Sequence, residues 1–154
     1  MVTFAAAPAV HQEIIQKTLT AVGLVGGVGV TANGVNVYSV RLAQDLGRFK
    51  VSGVGQEEWM FPEVIPHKGE WLAGLLDADG TVRANQRVIY YQKPHGGLDK
   101  VAEILEGLGV SFTRHRRPDR NLEDLEIRKE SRPLFQSHVQ PRFPRKAARF
   151  AFAG

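Results

Sequence analysis

The sequence contains no cysteine. Disulfide scaffolds, thiolate zinc sites and cysteine nucleophiles are therefore excluded, and a reducing compartment fits. Long apolar runs are also missing. The candidate stretch Ala21–Val30 is about ten residues and is broken by Gly23, Gly26, Gly27 and Gly29, whereas a membrane-spanning helix needs about 20 residues. Met1–Val10 is apolar but has no Lys or Arg, so it lacks the basic start of a secretory signal. These absences predict an intracellular protein (cytoplasm, nucleoid or organelle), not secreted and with no membrane partner. The fragment Gly27-Val28-Gly29 is not completed into a dinucleotide-binding loop, because Ala32 stands where the last glycine belongs. The histidines, His11, His67, His95, His115 and His138, show no metal-ligand spacing.

What remains is a chain of 154 residues and 17.0 kDa, 43% hydrophobic and 23% charged, long enough to bury a core. Its net charge of +4 conceals an asymmetry. Residues 1–80 carry five basic and eight acidic side chains, a net −3, and residues 81–154 carry fifteen and eight, a net +7. A basic half points to a polyanion, nucleic acid above all.

Ile14, Ile15, Thr18, Leu19 and Val22 recur at helical spacing before Gly23, and Asn33-Gly34 predicts a hairpin between Val28–Thr31 and Val35–Val40. Arg41–Phe49 reads as a short helix, and Ser52–Gly69, with Pro62 and Pro66, as a boundary or linker. Further on, a helix over Glu70–Asp79, two strands within Thr81–Lys93 and an amphipathic helix over Leu98–Leu108 are predicted. Strands around Pro118-Asp119 and a helix over Ser131–Val139 follow, with a last short helix or tail over Lys146–Phe152. The order helix, glycine, two strands, helix occurs at about 11–50 and again at about 98–139, a weak internal echo.

The segment Trp71–Val82 carries the chemical signal. Gly74 and Ala78 share one helix face, where small residues let two helix backbones approach closely. Gly within a helix costs about 0.5–1 kcal/mol against Ala, and close contact is a reason to keep it. Asp77 and Asp79 lie in the last helical turn, against the negative end of the helix dipole. A nearby cation compensates such an arrangement, a divalent metal on a carboxylate and main-chain carbonyls being the natural one. Gly80 stands where a left-handed C-terminal cap belongs.

Leu72-Ala73-Gly74-Leu75-Leu76-Asp77-Ala78-Asp79-Gly80 differs at one position from the motif that names the LAGLIDADG homing endonucleases, and residues 70–154 resemble a single-motif member of that family. The resemblance implies an α+β fold: a motif helix plus an antiparallel four-stranded β-saddle with flanking helices. It makes 70–154 an endonuclease-like DNA-binding domain and 1–69 an N-terminal extension that looks like a degenerate partial first repeat. It also implies Mg2+-dependent, site-specific cleavage of double-stranded DNA by a homodimer, with Leu72, Gly74, Leu75 and Ala78 at the helix–helix contact.

By position, Asp79 and the Ala78 carbonyl match the metal ligands. Gln92 matches a residue that places the attacking water, and Lys129 or Arg128 the basic residue of the site. With Val82 facing the core, Thr81, Arg83 and Asn85 face outward, and Arg87 follows the turn. Arg83, Asn85, Arg87, Arg114, Arg116, Arg117 and Arg120 are candidate DNA contacts, with Arg142, Arg145, Lys146 and Arg149 as a further basic stretch toward phosphates. Two departures stand against the family pattern. Only one motif is present, and Asp79 to Gln92 spans only 13 positions, a short first hairpin. The alternatives are therefore a non-cleaving DNA- or RNA-binding relative, maturase-like or regulatory, and a fragment of a two-repeat or intein endonuclease.

Overall fold

The computed structural model describes residues 2–5, 9–23, 27–32, 34–39, 44, 50–53, 56–59, 61–93 and 97–151. The chain forms two compact units, Met1–Val51 and Ser52–Gly154. Residues 52–69, read from the sequence with the extension, thus belong to the second unit.

The first unit contains β1 (Val2–Ala5), α1 (Ala9–Ala21), β2 (Val28–Thr31) and β3 (Gly34–Val37). Its antiparallel sheet has the order β1-β3-β2. The β2–β3 hairpin closes with Thr31 opposite Gly34, so Gly34 belongs to the second strand and the turn falls one residue earlier than a two-residue Asn33-Gly34 turn would place it. The apolar stripe of α1 buries Leu19 against Val35 and Val37, with Ile15 and Val28 beside them. Val22, expected on that stripe, is exposed instead, because the helix ends at Ala21. The helix expected over Arg41–Phe49 lies, apart from residue 44, outside the described residues. The segment read as a linker holds a two-stranded sheet, β4 (Lys50–Gly53) with β5 (Gln56–Trp59).

The second unit continues with α2 (Lys68–Asp79), β6 (Thr81–Val82), β7 (Val88–Gln92) and α3 (Leu98–Gly107). It then runs through β8 (Phe112–Arg117), β9 (Leu122–Ile127), α4 (Arg132–His138) and α5 (Pro144–Phe150). The sheet is antiparallel in the order β6-β7-β9-β8. One face carries Val82, Val88, Tyr90, Leu125 and Ile127 into a core closed by Leu72 and Leu76 of α2, Val101 and Leu105 of α3, and Phe135 of α4. The first unit repeats part of this topology: strand, helix, hairpin, with the first strand paired to the last. β1-β3-β2 corresponds to β7-β9-β8, and the order α1-β2-β3 to α3-β8-β9. Of the weak echo in the sequence, the helix and the two strands that follow it are described in both units, while its last helix in the first unit lies outside the described residues apart from residue 44.

Three contacts fix α2. The buried Tyr90 hydroxyl donates to the Leu72 carbonyl at 3.0 Å, and burial, with the Asp77 charge nearby, pushes that hydroxyl well above the usual tyrosine range. Tyr90→Phe removes this bond alone and is expected to lower stability by about 1 kcal/mol, read from urea unfolding as a lower midpoint at unchanged slope. At the start of α2, a Cβ on Gly69 would lie 2.1 Å from the His138 carbonyl oxygen, so the absence of a side chain lets α4 close onto the helix. At its end, Gly80 is extended (φ −87°, ψ 174°) rather than left-handed as expected. A Cβ there would lie 2.5 Å from Leu76 Cδ1 and 2.8 Å from Leu76 Cα, so glycine permits the chain to leave the helix directly into β6.

Candidate active site and nucleic-acid interface

Asp79 is the last residue of α2 and is exposed. Because β7 runs back along β6, with Thr81 opposite Ile89 and Val82 opposite Val88, the end of β7 returns to the end of α2. Gln92, the final residue of β7, donates from Nε2 to Asp79 Oδ2 at 2.8 Å. The structure thus brings together two of the residues singled out in the sequence. Among the described residues no group of three or more His, Asp or Glu side chains gathers to hold a metal ion. The donor set at the end of α2 is one carboxylate with main-chain carbonyls, a set that suits a hard cation sharing its remaining positions with water and substrate phosphates.

The acids of α2 have different partners. Asp77 is buried, and its carboxylate accepts the backbone N–H of Arg142 at 2.7 Å and of Phe143 at 3.3 Å, just ahead of α5. In return, Lys146 of α5 donates from Nζ to the carbonyls of Leu76 at 2.7 Å and Asp77 at 2.6 Å, at the end of α2. Each element therefore satisfies the other's terminal backbone groups. Burial lowers the Lys146 pKa, opposed by the charges of Asp77 and Asp79. The cation that the acids at the helix end called for is, in part, this ammonium.

Lys146, expected on DNA phosphates, stands at the end of the motif helix with two of its N–H groups on carbonyls there. Arg149 likewise turns inward, donating to the Val82 carbonyl at 3.3 Å, while Arg142 and Arg145 are exposed. The basic residue expected after the fourth strand is placed elsewhere. Gln92 lies opposite Glu123 at the start of β9, whereas Arg128 follows the end of that strand. Five residues at ~3.3 Å each separate Arg128 from this row by roughly 16 Å, and Lys129 lies beyond it. Sequence reasoning missed Lys146 as the basic neighbour, although the helix-dipole argument asked for a cation and residues 142–149 offered four.

The face of the sheet opposite the core carries Thr81, Arg87, Tyr91, Thr113, His115, Arg117, Asp124 and Glu126, as the register requires. Arg83 and Asn85 are exposed at the β6–β7 turn, and Arg83 donates to the Tyr91 hydroxyl at 3.3 Å. Arg87 holds Glu126 with Nε at 2.6 Å and with Nη2, and this bonding lowers the Glu126 pKa against the opposing effect of burial. Arg117 holds Asp124. Arg114 shares the row of Tyr90 and Leu125 and so lies on the helix-covered face, between Asp99 and Glu123. Arg116 shares that face, 4.0 Å from Glu123, and Arg120 is exposed beside Asp119. The dense arginine group expected as one surface is thus divided between two faces by strand alternation.

Residues 67–140 match the family model of the LAGLIDADG-like domain. These residues form a LAGLIDADG-like domain. The homing endonuclease I-DmoI has the same fold. In its complex with DNA and Ca it is 19% identical over 96% of this chain and 80% of that one, with a TM-score of 0.67. The complex with DNA and Mn gives 18%, 90% and 79%, with a TM-score of 0.66, and mesophilic variants of I-DmoI give 17%, 96% and 79%, with 0.63. No curated protein sequence matches. In the LAGLIDADG domain α2 is the motif helix. Its Gly74 and Ala78 are exposed, and a Cβ on Gly74 would meet nothing within 4 Å, which leaves that face open to a second helix. Leu75 is half-buried and flanks this face, but Leu72 is fully buried in its own core and cannot lie at a contact with another chain. No helix among the described residues is long and apolar enough to cross a membrane.

Proposed function

We propose that the protein is a Mg2+-dependent, site-specific double-strand DNA endonuclease of the homing type, working as a homodimer through the Gly74/Ala78 face of its motif helix. The observation that carries this reading is the exposed Asp79 carboxylate, held by Gln92 at the end of that helix, beside the Lys146 ammonium. Asp79 and the Ala78 carbonyl would hold the cation, which when bound supplies charge at the scissile phosphate and an activated water. Gln92 donates its amide N–H to Asp79, so its Oε1 is left to accept a hydrogen bond from the attacking water and orient it. Lys146 spends two of its three N–H bonds on carbonyls and keeps the third for the charge that develops on phosphate. Each chain supplies one such acid, and cleavage of both strands needs a second copy of the helix.

The test is cleavage of duplex DNA from the protein's own host locus, with Mg2+ and with chelator. Breaks at one sequence that require Mg2+ are expected. Tight, salt-dependent binding that ignores metal and leaves every strand intact would replace this reading by the non-cleaving one, which the two-residue β6 favours because so short a strand spans little DNA. A second reading rests on the topological repeat in residues 1–51: the chain is part of a two-repeat endonuclease, with the degenerate repeat in place of the partner. Sedimentation separates the two, since a stable monomer rejects the homodimer.

A further inference from the structure

We propose that Arg117 is a guanine-reading residue of this domain, held in its reading pose by Asp124. The proposal rests on the DNA-binding reading above and adds a residue, a base and a mechanism.

The strand arginines differ in which guanidinium nitrogens are already engaged. Arg87 commits Nε and Nη2 to the two oxygens of Glu126. Arg114 commits both terminal nitrogens, Nη1 to Asp99 and Nη2 to Glu123, and lies on the covered face. Arg117 differs from both. It commits Nε alone, at 2.5 Å from Asp124 Oδ2, and its two terminal nitrogens have no partner among the described residues.

The anchor is fixed. The Asp124 side chain is only 3% exposed, in a strand paired on both sides, with Tyr91 and His115 opposite it. The guanidinium it holds is 45% exposed on the outer face. A planar group tied at Nε presents Nη1 and Nη2 end-on, as two parallel donors. Guanine O6 and N7 are the matching pair of acceptors in the major groove. Fixing the long side chain beforehand also removes part of the entropy cost of ordering it on DNA.

Charge decides between base and phosphate. The Arg117–Asp124 pair is neutral as a unit, and its carboxylate repels a phosphate brought close. The pair retains directional donors without the net charge that phosphate binding exploits, so a neutral edge with two acceptors is the better ligand.

The experiment is selection of binding sites from a random duplex library with the full-length chain. The wild type is compared with Arg117→Gln, Arg117→Lys and Asp124→Asn, each checked for an unchanged circular dichroism spectrum. Wild-type sites are expected to share a G·C pair, repeated by symmetry in a dimer site. Arg117→Gln should lose preference at that pair alone, by on the order of tenfold to a hundredfold. Arg117→Lys should lose it too, since an ammonium cannot form the fork. Asp124→Asn should weaken preference at the same pair and no other, an outcome that general loss of structure would not give.

If Arg117→Gln keeps every selected position and binds all sequences more weakly with a shallower salt dependence, Arg117 is a phosphate contact and the proposal is overturned, while DNA binding stands. If the wild-type chain enriches no sequence, both the proposal and the sequence-specific reading on which it rests fail.

Discussion

Asp79→Asn is expected to reduce strand cleavage by at least about 10³-fold while leaving DNA affinity within a few-fold of wild type. The substitution is nearly isosteric, and the new side-chain amide can still offer an oxygen to Gln92 Nε2, which now lies 2.8 Å from a carboxylate oxygen. What disappears is the negative charge that would hold the cation. Metal charge at a scissile phosphate is worth several kcal/mol in the transition state, and each 1.4 kcal/mol is about tenfold in rate. Single-turnover cleavage gives the rate, and fluorescence anisotropy at fixed salt gives the affinity. Cleavage that survives the substitution would remove Asp79 from the catalytic machinery.

Asp77→Ala is expected to damage both stability and rate, by a different route. It leaves the backbone N–H groups of Arg142 and Phe143 without the acceptor they have at 2.7 and 3.3 Å. A hydrogen bond to a charged acceptor is worth about 1.5–3 kcal/mol, so the unfolding free energy should fall by that amount and the denaturant midpoint with it. Release of α5 also frees Lys146 from the end of the motif helix, and cleavage should fall by on the order of tenfold to a hundredfold at near-constant DNA affinity. Asp77→Asn retains an oxygen acceptor and should recover most of both losses. Stability that falls while the rate is unchanged would show that Lys146 does not depend on Asp77 for its position.

The contrast between these acids shows how far the sequence can be read. The motif helix and the order of strands and helices after it were legible because they rest on local signals, while Asp79 and Gln92 were singled out through the family resemblance and the structure brings their side chains together. Periodicity marks the helices, turn residues mark the hairpins, and a short hairpin returns the chain to where it left. The roles of Asp77 and Lys146 were not legible, because they depend on contact between residues 69 positions apart, which no local pattern encodes. Arg114 and Arg117 show a second limit. Three positions apart on one strand, they take opposite faces, so a cluster of arginines in sequence is not a cluster in space until the register is known. The arginines also gave no sign of their partners, since the acids of β9 look in sequence like an ordinary charged strand. The β4–β5 pair was hidden by its surroundings, where glycine and proline suggested a linker.

Those acids bear on how the domain would meet a duplex. Glu123, Asp124 and Glu126 already occupy Arg114, Arg117 and Arg87. Salt dependence of DNA binding measures the condensed counterions displaced by unpaired protein cations. Arginines that enter the complex with carboxylates beside them displace few. The domain should therefore lose less affinity on addition of salt than its count of basic residues suggests, and its choice among sequences should persist at ionic strengths where a bare cationic surface would have let go.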